Sequence, residues 1–455
     1  LAEMMESVED IPRRAILDGL PWDWQTYPQY LDSVQTLRPA LNVVGMVGHC
    51  AVRYHVMGER SLGDDMPTPD ELAQMREIAA ESVAGGAVGF STSRLLGHRV
   101  PDGRCVPGTF APIAEYLAVA DGMNDAGGGL FQAVLDFDTK AGHEVQLLQA
   151  MAERCGDVLF SGGVGDGGQT PLDFYGSFLP ATRASAGRIT AASMTRPSGT
   201  LMGLYQVPPV RGRAWAAVMA LPTLAQRVAA LKDPATRANL IEEGQRKGLL
   251  YQPDRVYPLG NGEFPDYNIE HGVSVAELAA QAGVHPVEIV IDRLIASEGH
   301  ELFNMWFYNA GTSTLAELLK MDHIYPGLGD AGAHAGQICD ADATTHYLSY
   351  WQRDRDLVTL PKAIHQLTQQ AAKVLGLIDR GTLRVGAYAD VNVFDPAALA
   401  PEYPEYVHDF PDGKGRLRVR ARGYAATIVN GEVVTEQGAH TGNRPGRVLR
   451  EFARG

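Results

Sequence analysis

The stretch Ile324-Tyr325-Pro326-Gly327-Leu328-Gly329-Asp330-Ala331-Gly332-Ala333-His334 holds the residues best suited to chemistry. A short apolar run ends in small residues, then a carboxylate, then a Gly/Ala turn carrying a histidine. In a parallel β/α protein the C-terminal end of a strand is where reacting groups sit. A carboxylate there, flanked by residues too small to cover it, can take a proton or hold a metal. Asp330 is therefore the leading candidate for either role. His334, four residues on, reads either as a partner of substrate or Asp330, or as a group that closes the loop.

Other candidates stand at predicted strand ends. His49 follows Val47-Gly48 and would line the mouth of such a fold, or else be a satisfied core histidine. Arg53, Arg94 and Arg196 each follow a strand-like run. A guanidinium offers a fork of donors that suits a substrate carboxylate. The plainer role for Arg196 is an ion pair with a neighbouring acid such as Asp136 or Asp166. Paired acids occur at Asp136/Asp138 and Asp340/Asp342, a pattern that serves acid–base chemistry but more often caps turns. Cys339, without partner histidines, reads as packing.

The elements that must position these groups alternate in type. Strand-like runs at 41–49, 86–92, 129–136, 157–161, 188–195, 302–307 and 324–334 are separated by helical patterns. Helices are predicted at 67–83, 112–127, 141–154, 171–186, 217–231, 234–247, 273–282, 286–297 and 361–375. Such alternation implies parallel strands with helical crossovers. Seven strands are one short of a closed (β/α)8 barrel. The chain opens at Leu1 in what reads as mid-helix, so an N-terminally incomplete barrel with its first strand missing is expected. The segment 197–265 reads as an insertion. The aromatic patch around Trp22, Trp24, Tyr27 and Tyr30 reads as a helix start packed into a core. From Arg380 onward the pattern changes to turns and strands, with an Asn430-Gly431 hairpin. Two units follow: a barrel over 1–379 and a small all-β unit over 380–455, in which Asp390 and Asp395 serve turns.

Composition bounds the rest. The chain has 455 residues, of which 45% are hydrophobic and 20% charged, with a formal net charge of −15. The acidic balance and the absence of a basic run argue against a nucleic-acid partner. No apolar run reaches membrane-spanning length. Four scattered cysteines without CxxC spacing fit a reducing, cytoplasmic setting.

These residues together resemble the amidohydrolase superfamily, and within it the D-aminoacylase (N-acyl-D-amino-acid deacylase) family. The resemblance runs through Trp22–Leu31, Gly48-His49-x-x-x-Arg53, Gly86–Thr92, Gly329–His334, the stretch Arg380 to Asp395 with Ala389-Asp390, and Val429-Asn430-Gly431. It implies a (β/α)8 TIM-like barrel beside a small C-terminal β-sandwich. It also implies hydrolysis of a small-molecule amide, an N-acyl amino acid being the expected substrate, by metal-activated water with Asp330 as base. Zinc is the expected metal, with Asp330 as one ligand and first-strand ligands upstream of Leu1. The family pattern departs here at Phe160–Gly163 and Met194–Pro197, where histidines would be expected, and at 337–342, where a substrate-binding arginine would be. The alternatives are a hydrolase of a cyclic amide or other acylated amine, and a non-catalytic barrel that binds a small ligand.

Overall fold

The computed structural model describes residues 2–164, 175, 189–267, 272–327, 329, 332–411 and 413–453; the side chains of 137–141 also lie outside the description. Asp330, Asp166 and, Tyr175 apart, the helix expected at 171–186 therefore fall outside the described residues, as does the side chain of Asp138.

Six strands form one parallel sheet: β1 (Met46–Gly48), β2 (Gly89–Ser93), β3 (Leu130–Val134), β4 (Val158–Ser161), β5 (Ile189–Ser193) and, labelled β9 here, Ile324–Pro326. Their spatial order is β9-β5-β4-β3-β2-β1, and every neighbouring pair is parallel. These are buried runs of small, aromatic and branched residues, as strands covered on both faces must be. Phe90, Phe131, Phe160, Ile189 and Ile324 are fully buried in the main core. Burying each such side chain contributes about 1.5–3 kcal/mol.

The crossovers are helices α1 (Pro69–Ala84), α2 (Ile113–Asp125) and α3 (Phe137–Cys155). The first is set by its sequence: Thr68 accepts from Glu71 N and Glu71 returns to Thr68 N, with Pro69 in the first turn. A reciprocal cap of this kind fixes a helix start and is worth about 1 kcal/mol. The chain enters the barrel as a parallel β/α protein, as the alternation of patterns predicts.

Phe303–Tyr308 departs from that prediction. It is antiparallel to Ser198–Met202 and to Val256–Pro258, in a separate three-stranded sheet. We label these strands β6 (Ser198–Met202), β7 (Val256–Pro258) and β8 (Phe303–Tyr308). Five helices, Arg213–Met219, Leu224–Lys232, Pro234–Lys247, Val275–Ala282 and Pro286–Ala296, belong to the same excursion. Most of them pack on a second core with Trp215, Leu240, Ile291 and Phe303 at its centre. The excursion between β5 and β9 thus runs to Tyr308, beyond the limit near 265 expected from loop composition.

Beyond a helical run from Ala343 to Val374, the chain becomes all-β. Val391–Phe394, Tyr424–Val429, Glu432–Glu436 and Ala439–His440 form an antiparallel sheet. Asn430 and Gly431 make its hairpin turn with φ of 49° and 87°, the left-handed pair such a turn requires. Asp390 accepts from Arg380 and from Asn430 N, and Asp395 accepts from Ala397 N, so both serve turns. Val43–Val44 pairs in parallel with Val448–Leu449, tying the start of the barrel to the tail.

The aromatic patch does begin a helix, Tyr27–Thr36. Its rings are not all in a core, however: Trp22 is 46% exposed and stacks on Trp24 at 5.5 Å. All four cysteines are free thiols. Among the described residues, no helix is long and apolar enough to cross a membrane.

Candidate active site at the barrel mouth

The strand ends carry two knots of buried charge. The first joins β1, β2 and the helices above them. His49 follows β1 directly, and its Nε2 lies 2.6 Å from Glu115 Oε1, with Nδ1 2.9 Å from Thr92 Oγ1. Arg53 Nε donates to the same Glu115 at 3.0 Å, and its two terminal nitrogens donate to Ser61 O and Asp65 O at 2.8 Å. Burial alone would raise the Glu115 carboxyl, but hydrogen bonds and charge from His49 and Arg53 hold it below the usual range. Arg94 follows β2. It donates to both oxygens of Glu144, to Ala111 O and to the Tyr116 hydroxyl. Thr92 Oγ1 and Tyr116 Oη, 3.3 Å apart, link the Arg53 and Arg94 halves.

His49, Arg53 and Arg94, each expected to face substrate, are thus brought together, but as an internal network. Their donors are consumed by buried protein groups, so none offers an open fork to a ligand. Glu115 and Glu144, the acids that explain them, lie on α2 and α3, more than 40 residues away in sequence. Nothing in the local pattern marks them out.

The second knot lies beyond β5 and β9. Arg196 is fully buried. Its Nε donates to Asp342 Oδ1 at 2.9 Å, Nη1 to Pro197 O, and Nη2 to Cys339 O and toward Asp340 Oδ1 at 2.9 Å. Its guanidinium stacks over the Tyr267 ring at 4.0 Å. Ser198 Oγ donates to Asp340 Oδ2. The acids expected to pair with Arg196 were Asp136 or Asp166; the observed pair, Asp340 and Asp342, comes from the loop after β9. Asp136 instead accepts from Leu96 N. The Arg196 fork, expected to meet substrate, is engaged by this loop.

Closure here is incomplete. Among the described residues, the Tyr267 hydroxyl, Asp342 Oδ2 and His346 Nδ1 are buried without a well-formed hydrogen bond, although Tyr267 and Asp342 interact with each other and His346 with the Thr195 backbone. Burial, with the Arg196 charge second, pushes the His346 imidazole down to about 3, so it is neutral at ordinary pH. Burial also pushes the Cys339 thiol up to about 12, as a packing cysteine requires. Gly329 lies against the Asp340 carbonyl, a Cβ there falling 3.4 Å from it. The segment bearing Asp330 therefore adjoins this second knot in sequence and at Gly329 in space.

His334 stands apart from both knots. It has φ 48°, and its Nε2 is 3.8 Å from Glu9 in the N-terminal helix. The loop beyond it is pinned by Asp10, which accepts from Gly336 N at 3.0 Å and from Gln206.

Among the described residues, no group of three His, Cys, Asp or Glu side chains could hold a metal ion. At β4 the expected histidine is replaced by Gly162-Gly163, and the Tyr308 ring fills the space where a Gly163 Cβ would be. Asn309 then bolts β4 to β5, accepting from Val164 N and donating to Met194 O. At β5 the position holds Thr195 and the Arg196 cation, which would repel a metal ion at short range. These residues do not fit a metal between β4 and β5.

Comparison with known proteins agrees with the fold. The family model described as "Amidohydrolase family" matches residues 1–435. N-acyl-D-glutamate deacylase of Alcaligenes xylosoxydans xylosoxydans is 26% identical over 433 residues, covering 93% of this chain and 72% of the relative. D-aminoacylase of the same organism is 23% identical over 478 residues, covering 100% and 79%. A crystal structure of D-aminoacylase superimposes with a TM-score of 0.58 at 20% identity, over 94% of this chain and 75% of the other. N-acyl-D-glutamate deacylase from Bordetella bronchiseptica, solved with zinc and a phosphonate inhibitor, gives 0.56 at 20% identity, with the same coverage. A barrel with a small C-terminal β unit, matched by the family model over nearly its whole length, places this chain in the amidohydrolase family, in its D-aminoacylase-like branch, whose members hydrolyse carbon–nitrogen bonds other than peptide bonds.

Proposed function

We propose that this protein hydrolyses the amide bond of an N-acyl-D-amino acid, with Asp330 taking a proton from the attacking water and passing it to the leaving amine. The observation that carries the reading is the loop after β9. It leaves the C-terminal end of a barrel strand, holds the only acid between Ile324 and His334, and lies in a chain whose deacylase relatives align along nearly its full length. A carboxylate in hydrogen-bond reach of water and leaving group supplies general acid–base catalysis worth about 10²–10⁴-fold. Arg196 acts in this reading by positioning: it ties the Asp340–Asp342 loop to β5 and so fixes the chain that follows Asp330.

The test is amine release from N-acetyl-D-glutamate, N-acetyl-D-aspartate and N-acetyl-D-leucine, with the L forms as controls. Asp330→Asn is expected to lower kcat by about 10²–10⁴-fold. No release from any D substrate, or an Asn variant as fast as the parent, ends the reading. The glycines, Tyr308 and Arg196 at the expected histidine positions favour a second reading, a barrel that binds a small ligand without cleaving it. It predicts saturable binding of the same compounds with no amine released.

A further inference from the structure

A half-open cavity lies away from the Arg196 knot. It measures about 650 Å³ between the N-terminal helices, the excursion and the C-terminal β unit. Its walls are of two kinds. Met219, Pro222, Leu224 and the stacked rings of Tyr205 and Tyr406, 5.2 Å apart, make an apolar face. Arg227, His408 and Lys414 bring positive or protonatable groups to the same space.

Arg227 is held in place rather than free to swing. Its Nε donates to Leu221 O at 2.9 Å, and its Nη1 to Leu204 O and Tyr205 O at 2.5 and 3.1 Å. Those acceptors are neutral carbonyls, and Arg227 has no acid partner among the described residues. Its Nη2 edge is left for a ligand. The two acids described on the rim accept hydrogen bonds from neighbouring neutral groups: Glu6 from Arg13 N, and Asp10 from Gly336 N and Gln206. An immobilised guanidinium lacking a protein counter-ion, beside an aromatic and aliphatic wall, matches a small molecule with one carboxylate and an apolar body.

We infer that this cavity is a binding site for such a monocarboxylate, held by Arg227 through its carboxylate and by Tyr205 and Tyr406 through its apolar part. The site sits one contact away from the loop that follows Asp330. A Cβ at Gly336 would collide with Gln206, whose side chain lines the cavity and accepts from Tyr406 Oη at 2.6 Å. The inference does not rest on the proposed hydrolysis, because the probe below has no bond to cleave.

The experiment is calorimetric titration of the full chain with phenylacetate, and with 2-phenylethanol as an uncharged counterpart that carries no acyl bond. Saturable phenylacetate binding is expected in the parent and in Asp330→Asn, with Kd equal within about twofold. 2-Phenylethanol is expected to bind at least about tenfold more weakly, as loss of one charge-assisted pair implies. Arg227→Gln is expected to weaken phenylacetate by a similar factor, and Arg227→Lys by less. Because Arg227 also holds three carbonyls, the 2-phenylethanol comparison decides the matter should Arg227→Gln fail to fold. No phenylacetate binding, equal binding of the two compounds, parental affinity in folded Arg227→Gln, or loss of binding in Asp330→Asn would each overturn the site.

Discussion

The two knots at the barrel mouth use the same ingredients and close them differently. Around β1 and β2, Arg53 and Arg94 each meet one glutamate, and none of the polar atoms of His49, Thr92, Glu115 and Tyr116 is left buried and unpaired. Around β5 and β9, Arg196 meets two aspartates, yet among the described residues Tyr267, Asp342 and His346 each keep a buried polar atom without a well-formed hydrogen bond. A fully satisfied network fixes a fold. An unsatisfied one costs stability, and such costs persist where an arrangement serves something besides folding. The contrast suits the first knot to architecture, and in the proposed reading it sets the second beside the loop that carries Asp330.

Three substitutions can break or sharpen that contrast. The largest effect is expected at Glu115→Ala, which leaves Arg53 buried without its counter-charge. We expect a loss of about 3–5 kcal/mol in chemical denaturation, with kcat of the remaining folded protein unchanged. A stability near parental would show that the first knot does not hold the fold. Arg196→Lys keeps the charge and loses the fork. It should lower kcat for the D substrate by about tenfold, roughly 1.4 kcal/mol, with KM little changed. A large KM increase at constant kcat would instead return Arg196 to substrate binding.

The remaining effect is one of pH. His346 is neutral in the folded state down to about pH 3, whereas an unfolded histidine titrates near 6.5. Below that value the unfolded chain binds the extra proton, so stability falls as pH drops from about 6.5 toward 3. The slope is up to about 1.4 kcal/mol per pH unit from this group. Thermal melts at pH 7 and pH 5 should show a smaller difference in His346→Gln than in the parent. An identical difference would mean that the imidazole is not held neutral.

Much of the fold was legible in the sequence because period and punctuation carry it. Six of the seven strand-like runs joined the parallel sheet, and the capped helices began within a few residues of their signals. Phe303–Tyr308 misled because an apolar run of that length has the same composition in a barrel strand and in an antiparallel sheet. Only its pairing with β6 and β7 tells them apart. The site was less legible for a related reason. Arg196 could be flagged from its place after a strand, but its partners lie 144 to 146 residues away (340 − 196 and 342 − 196). Tyr308 and Asn309, which fill and bolt the space beside Gly163, carry no mark of that role in their own neighbourhood.

The short pairing of Val43–Val44 with Val448–Leu449 has a consequence for how the protein is assembled. It joins positions 405 residues apart (448 − 43). The entropy lost on closing so long a loop grows only as the logarithm of its length, but it must be met before the few hydrogen bonds of the clasp can repay it. The clasp therefore closes late, after the intervening chain has condensed. Once closed, it holds the chain between Val44 and Val448 as a single loop, so that stretching the two strands of the clasp apart would pull on everything between them at once.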